Sequence, residues 1–472
     1  SCATRAMMMA AIATASCLTL ALTVGNVHPV HVRQPYLSQG YQHKSQLDPF
    51  MLQQLQDPCA QAHLVSTVRR ARSAMMVLAQ DSEMELSIRT PSEWHSRRRQ
   101  QILEAHPDVQ QLFGVDALSL PLLSLVNVMH AGAALCAGQL LQNGDAGNLL
   151  LLCYAGSFLS IAQFIMLHDL IHGGVVRSNR LGWLRALSLP SFFGYYLYLR
   201  FGHLSHHRAM GEYTYAEIFT SVRTEFEDGD VMFAQHRQVL DEHAPWMQRL
   251  PFGWQQNPVV NMGIYSSTIL FERIVLFLVD KYIAVVGFNP FFANKPAAFH
   301  EQNALFARFN LCVQLALVGL SGPGALVYLW LSETLWTLPV HPVSASFYTN
   351  HEPHAEAGDA HATSATQPSS SVYAGRLYDA LCLNMNYHVE HHDFPEVPWR
   401  RLPALRAAAP EFYDSIVSFN DPLKVIYDTF DSPRFYAGAN KFPKKRRSAK
   451  QEKPLQDYKE NVLWRMLLDR SL

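Results

Sequence analysis

Histidine is out of proportion in this chain, at 22 of 472 positions, and it gathers at three places. HDLIH sets His168 and His172 four apart. HLSHH sets His203, His206 and His207 at i, i+3 and i+4, and NYHVEHHDFP repeats that spacing with His388, His391 and His392. On a helix these intervals bring the rings onto one face. At this histidine frequency an HxxHH arises by chance about 0.05 times in a chain of this length, so two copies beside an HxxxH need a cause. Crowded imidazoles repel one another once protonated, whereas a metal ion binds the neutral form and turns crowding into coordination. Eight imidazoles exceed the capacity of one ion and suit two ions of four or five ligands each.

Imidazole accepts iron as readily as zinc, so the residues alone leave the metal open. No HExxH is present, which removes the pattern of a zinc peptidase. The seven cysteines, Cys2, Cys17, Cys59, Cys136, Cys153, Cys312 and Cys382, form no CxxC pair and lie mostly in apolar runs. They read as buried free thiols rather than a thiolate site or a disulfide framework. Asp169, Glu390 and Asp393 sit where they could orient imidazoles by hydrogen bonds or simply face solvent. The isolated His28, His63, His130 and His300 read as packed or surface side chains.

Those clusters need elements to hold them. Hydrophobic residues make up 49% of the chain, charged residues 16%, and the formal net charge is -1, so no global field draws in nucleic acid. Two uncharged runs, Leu118 to Leu141 and Leu149 to Leu167, each approach the roughly 20 residues that cross a bilayer as a helix. Their link, QNGDAGN, lacks Lys and Arg, while Arg97, Arg98 and Arg99 precede the pair and Arg177, Arg180 and Arg185 follow it. The positive-inside rule therefore puts both flanks on the cytosolic side. A further run, Met262 to Phe288, carries Glu272, Arg273, Asp280 and Lys281 and reads as a helix lying in the membrane interface. Leu305 to Val340 is interrupted by SGPG, Ser321 to Gly324, which either turns the chain between two short crossings or kinks one long helix.

The remainder is organised around this core. Residues 1–80 read as a targeting or disordered extension, with a membrane anchor as the alternative for its apolar part. Residues 81–440 form the membrane domain, within which 352–371 is polar, aperiodic and expected to be a flexible insert. Residues 441–472 are a basic tail whose FPKKRR could meet anionic head groups or stay solvated. The fold class is all-α: a multi-pass helical membrane protein with a cytosolic helical cap that holds the histidines. A metal centre just below a bilayer suits oxidation of an unactivated C–H bond in a lipid chain, chemistry that side chains cannot perform without a cofactor.

At HDLIH, HLSHH and NYHVEHHDFP the sequence resembles the membrane fatty-acyl desaturase and hydroxylase superfamily. SEWHSRRRQQILEAHPDVQQLFG, WTLPVHPVS and EHHDFPEVPWRRLPALRAAAPEFYDSI resemble its sphingolipid Δ4-desaturase branch, over roughly residues 90 to 440. The resemblance implies two irons bound by His168, His172, His203, His206, His207, His388, His391 and His392. It implies removal of hydrogen at C4 and then C5 of the sphinganine chain of dihydroceramide, leaving a trans double bond. Electrons would come from NAD(P)H through a reductase and cytochrome b5. The chain has no HPGG haem signature and no strand-linked GxGxxG, so both carriers would be separate proteins. Residence in the endoplasmic reticulum membrane, cytosolic histidines and a two-crossing turn at SGPG also follow from the resemblance.

The chain departs from the usual HPxxxHxxxEH, since HPVSASFYTNH places Ser346 and Asn350 at two of those positions. His341 and His351 remain as unassigned extra ligands. Alternative readings are a C4-hydroxylase, a related acyl-lipid desaturase or hydroxylase, and a non-enzymatic zinc-binding membrane protein.

Overall fold

The computed structural model describes residues 93–195, Leu199, His203, His207, 257–289, 297–350 and 367–431, the side chains of Ile264, Thr268 and Glu272 apart. The expectations for residues 1–80, for 441–472, for His206 and for His351 lie outside the described residues.

Apolar sequence becomes helix wherever backbone groups can find no water and must pair internally. Helix α1 (Glu93–Ala105) opens the described chain. Then α2 (Ser119–Gln142) and α3 (Ala146–His172) form an antiparallel hairpin. Its tight link ends on Asp145, whose carboxylate accepts from the Asn148 amide at 3.2 Å and caps α3. At the other end Gly173 takes φ +88°, a left-handed conformation that stops α3 directly after His172. The first histidine pair is thereby the last turn of an apolar helix. A short α4 (Arg180–Leu187) follows.

Helix α5 (Pro258–Val286) leads to α6 (Ala297–Ser321) and α7 (Gly324–Leu335). Of the described helices, α2, α3 and α6 are long and apolar enough to cross a membrane. At SGPG the chain reverses. Gly322 takes φ +89°, Gln142 donates to the Ser321 carbonyl at 2.9 Å, and the turn docks on the end of α2. From there α7 runs back along α2 and α3, with Tyr328 beside His130 and Trp336 beside Phe164. The alternative of one kinked helix does not hold.

Arg273, Asp280 and Lys281 of α5 are sheltered by protein. Asp280 and Arg273 are buried; Lys281 and Asn310 donate to Asp280 at 2.6 and 3.1 Å, and the Arg273 guanidinium lies over Phe193. Its exposed side carries Phe271, Leu278 and Val285, an all-apolar stripe at seven-residue intervals. The irregular segment 188–193 lies inside the bundle, where its backbone cannot meet water. Gln163 donates to Pro190 O at 3.3 Å, Gln314 to Ser191 O and Phe192 O at 2.7 and 2.8 Å, and Glu333 accepts from Phe192 N.

After α8 (Ser344–Thr349) comes β1 (Ser371–Val372). Gln367, Ser369, Ser370 and Ser371 are buried; the rest of the polar stretch expected to be a flexible insert, 352–366, lies outside the described residues. Helices α9 (Arg376–Leu381), α10 (His388–Asp393), α11 (Leu402–Ala408) and α12 (Pro410–Tyr413) lead to β2 (Ser418–Phe419). The two strands pair in parallel, and α13 (Pro422–Asp431) closes the described chain. Helices α1, α10, α11 and α12 enclose their own core of Ile102, Val109, Val389, Phe394, Leu402 and Tyr413. This helical group, here termed the cap, meets the end of α3 where His391 lies beside His168.

Candidate metal centre

His168 and His172 leave the end of α3 on one face, as their spacing requires. The cap brings α10 over them. The rings of His168 and His391 lie 4.4 Å apart, and those of His172 and His207 lie 4.5 Å apart. One nitrogen from each of His168, His172, His203, His207 and His391 falls within 4.8 Å of all the others. All five rings but His172 are buried.

This donor set fits metal. The Nε2 atoms of His172 and His203 are 2.9 Å apart, and those of His391 and His207 are 3.2 Å apart. Two imidazole nitrogens at about 2.1 Å from one ion, separated by 90° to 110°, lie roughly 3.0 to 3.4 Å from each other. Protonation of such a group would stack buried positive charges.

His392 stacks on His207 at 3.9 Å, and His388 lies 4.4 Å from His392. These rings continue the cluster past His207, on the side away from His168. Seven of the eight imidazoles expected from the sequence are therefore brought together, the eighth, His206, lying outside the described residues. Among the candidate extra ligands, His341 sits between Tyr154 and Phe158, at 5.4 and 4.4 Å. Ten residues of α3 separate Phe158 from His168, about 15 Å of helix, so His341 is not a ligand. Ser346 takes up a packing role, its hydroxyl 2.8 Å from Tyr378 OH.

The acids divide their work. Glu390 accepts from Ser371 Oγ at 2.9 Å and from Tyr373 OH at 2.6 Å, which ties α10 to β1. Burial pushes its carboxyl up to about 7. Asp169 packs against Gly174, where even a β-carbon would come within 2.2 Å of its carboxylate. Among the described residues Asp393 alone of the three meets an imidazole, and it is one the sequence did not single out: His95 of α1, Nδ1 to Oδ1 2.7 Å. A lone histidine on an amphipathic helix carries no spacing signal, so only the cap's packing reveals it.

Arginines fix this cap. Arg98 donates to Asp393 Oδ2 through Nε and Nη2 at 3.1 and 3.0 Å, and to Phe412 O at 3.0 Å. Arg99 meets Glu396 with two parallel bonds, at 2.9 and 3.0 Å, and donates to Asp393 O at 3.1 Å. Trp399 donates from Nε1 to Ser119 Oγ at 3.0 Å and joins the cap to α2. The arginines counted as a topology signal are thus also clamps on the third histidine cluster.

Residues 146–422 match the family model described as Fatty acid desaturase, and residues 90–118 match that described as Sphingolipid Delta4-desaturase (DES). A Caenorhabditis elegans protein provisionally named a sphingolipid delta(4)-desaturase/C4-monooxygenase is 26% identical over 345 residues, 72% of this chain and 79% of that protein. The sphingolipid delta(4)-desaturase DES1 of Bos taurus is 26% identical over 342 residues, 71% of this chain and 87% of its own. That of Homo sapiens is 25% identical over 342 residues, again 71% and 87%. No solved structure matches the chain.

Proposed function

The chain belongs to the fatty acid desaturase family, and on that premise we propose that it is a di-iron sphingolipid Δ4-desaturase that converts dihydroceramide to ceramide. The observation that carries the reading is the gathering of five imidazole nitrogens within 4.8 Å, from parts of the chain as distant as His168 and His391.

In this reading His168, His172, His203, His207 and His391 face one ion, and His206, His388 and His392 complete the set for a second. Iron bound there would supply, with O2, the oxidising power for an unactivated C–H bond. The balance is C4–H and C5–H lost, one trans C=C formed, and O2 reduced to two waters with two electrons from NAD(P)H by way of a reductase and cytochrome b5. The chain's own task is to hold neutral imidazoles in place, through Glu390 on Ser371 and Asp393 on Arg98, and to keep water out. The apolar walls of α2, α3 and α7 suit a lipid chain entering from the membrane. Endoplasmic reticulum residence, with the cap on the cytosolic side, goes with that reading.

A second product is favoured by the Caenorhabditis elegans relative, whose name includes C4-monooxygenase. Hydroxylation at C4 would differ in leaving one oxygen on the chain. The test is expression in cells lacking Δ4-desaturase, followed by lipid mass spectrometry. Loss of two hydrogens from dihydroceramide is the expected result, gain of one oxygen identifies the hydroxylase, and an unchanged sphingolipid profile with iron bound overturns both.

A further inference from the structure

One more imidazole stands beside the seven described ones. His95, in the first turn of α1, is fully buried, and its ring centroid lies 5.3 Å from that of His392 at an interplanar angle of 35°. Two imidazoles on one ion, with nitrogens at about 2.1 Å and ring centres about 1.1 Å further out, have centroids roughly 4.5 to 5.5 Å apart for angles of 90° to 120°. The spacing of His95 from His392 falls in that interval. The 4.4 Å between His388 and His392 lies just below its lower edge.

The orientation of His95 is set from behind. Asp393 Oδ1 lies 2.7 Å from His95 Nδ1, while Arg98 holds the other oxygen of the same carboxylate at 3.0 and 3.1 Å. A carboxylate with its charge paired to a guanidinium is an acceptor, so Nδ1 carries the proton and donates it. Nε2 is then the nitrogen with the lone pair. Carboxylate behind imidazole is the arrangement that fixes the tautomer and raises the basicity of a metal-ligating histidine. Trp94, edge-on to His95 at 4.8 Å, closes the other side.

We infer that His95 is a ligand of the second metal ion, on the His388 and His392 side of the cluster, and that Asp393 is its positioning residue. The inference rests on the reading that the histidines hold two ions. It gives α1 a part in the centre, so that the cap would close by coordination as well as by apolar packing.

The experiment uses the full-length protein in detergent, loaded anaerobically with Fe2+, and measures iron per chain and its release to ferrozine. His95→Asn keeps an amide that can donate to Asp393 but removes the imidazole. The expected result is that one of two irons is lost or released about 10- to 100-fold faster than in the wild type, with the other unchanged. Asp393→Asn, which leaves His95 in place but weakens both its orientation and the pairing with Arg98, should labilise the same iron to a smaller degree. A purely structural His95 would lower the thermal midpoint of both variants and leave both release rates at wild-type values, and that result overturns the inference. Should His95→Asn fail to insert, the Asp393→Asn release rate decides by the same criterion. A wild-type protein without two bound metal ions would instead defeat the di-iron reading itself.

Discussion

The Nε2 atoms of His207 and His391 approach to 3.2 Å although 184 positions separate them in the chain. No local element could bring them together. The contact exists because the cap lowers α10 onto the end of α3, and a bound metal ion would offset its cost in crowded imidazole. His391→Ala should therefore abolish conversion of dihydroceramide and lower bound iron, while the protein still inserts in membranes. Turnover equal to the wild type would remove His391 from the centre.

Metal identity is open to direct substitution. Stripping the purified protein with a chelator should end activity, and Fe2+ with a reductant should restore it, whereas Zn2+ should refill the site without activity because it has no redox chemistry. Metal analysis and product mass spectrometry read the two halves of this prediction. Full activity after zinc loading would contradict a redox role for the centre.

Ser371 supports the third histidine cluster from two directions, donating to Glu390 at 2.9 Å and accepting from Val389 N at 3.1 Å. Ser371→Ala takes this partner from Val389 N and from one oxygen of Glu390, both buried, a change that costs about 1 to 3 kcal/mol. A lower thermal midpoint with weaker iron retention is expected. An unchanged midpoint would mean that the strand end is not an anchor of α10.

Helix packing in the bundle depends on missing side chains. A β-carbon on Gly156 would meet the Tyr328 ring at 2.4 Å, and one on Gly138 would meet Ser321 O at 2.2 Å. Small residues at such contacts are what let apolar helices approach where no hydrophobic driving force separates them from lipid. Gly156→Ala and Gly138→Ala should each reduce the yield of folded, monodisperse protein, whereas alanine at Gly132, where a β-carbon would meet nothing within 4 Å, should be tolerated. Size-exclusion profiles of the three variants test the difference.

Periodicity made much of this protein legible. The apolar runs at Leu118 and Leu149 became α2 and α3, because a length near 20 without charge admits only a helix in lipid. Histidine spacing marked the three clusters for the same local reason, since four residues turn a helix about once. What single residues did not reveal was their partners. Arg273 and Asp280 were read as costly in mid-bilayer, and the structure sets them against Phe193 and Asn310. The polar stretch 352–371 was read as flexible from its composition; of it, 367–371 are described, and Gln367, Ser369, Ser370 and Ser371 are buried.

The division follows the range of the forces. Spacing along the chain determined that eight histidines would face three ways off three helices and that a membrane-sized bundle would carry them. Whether those faces meet, which acid stands behind which ring, and that His95 joins the cluster through Asp393 were decided by the packing of α1 and α10. Contacts across nearly 300 residues leave no mark in the spacing of either partner.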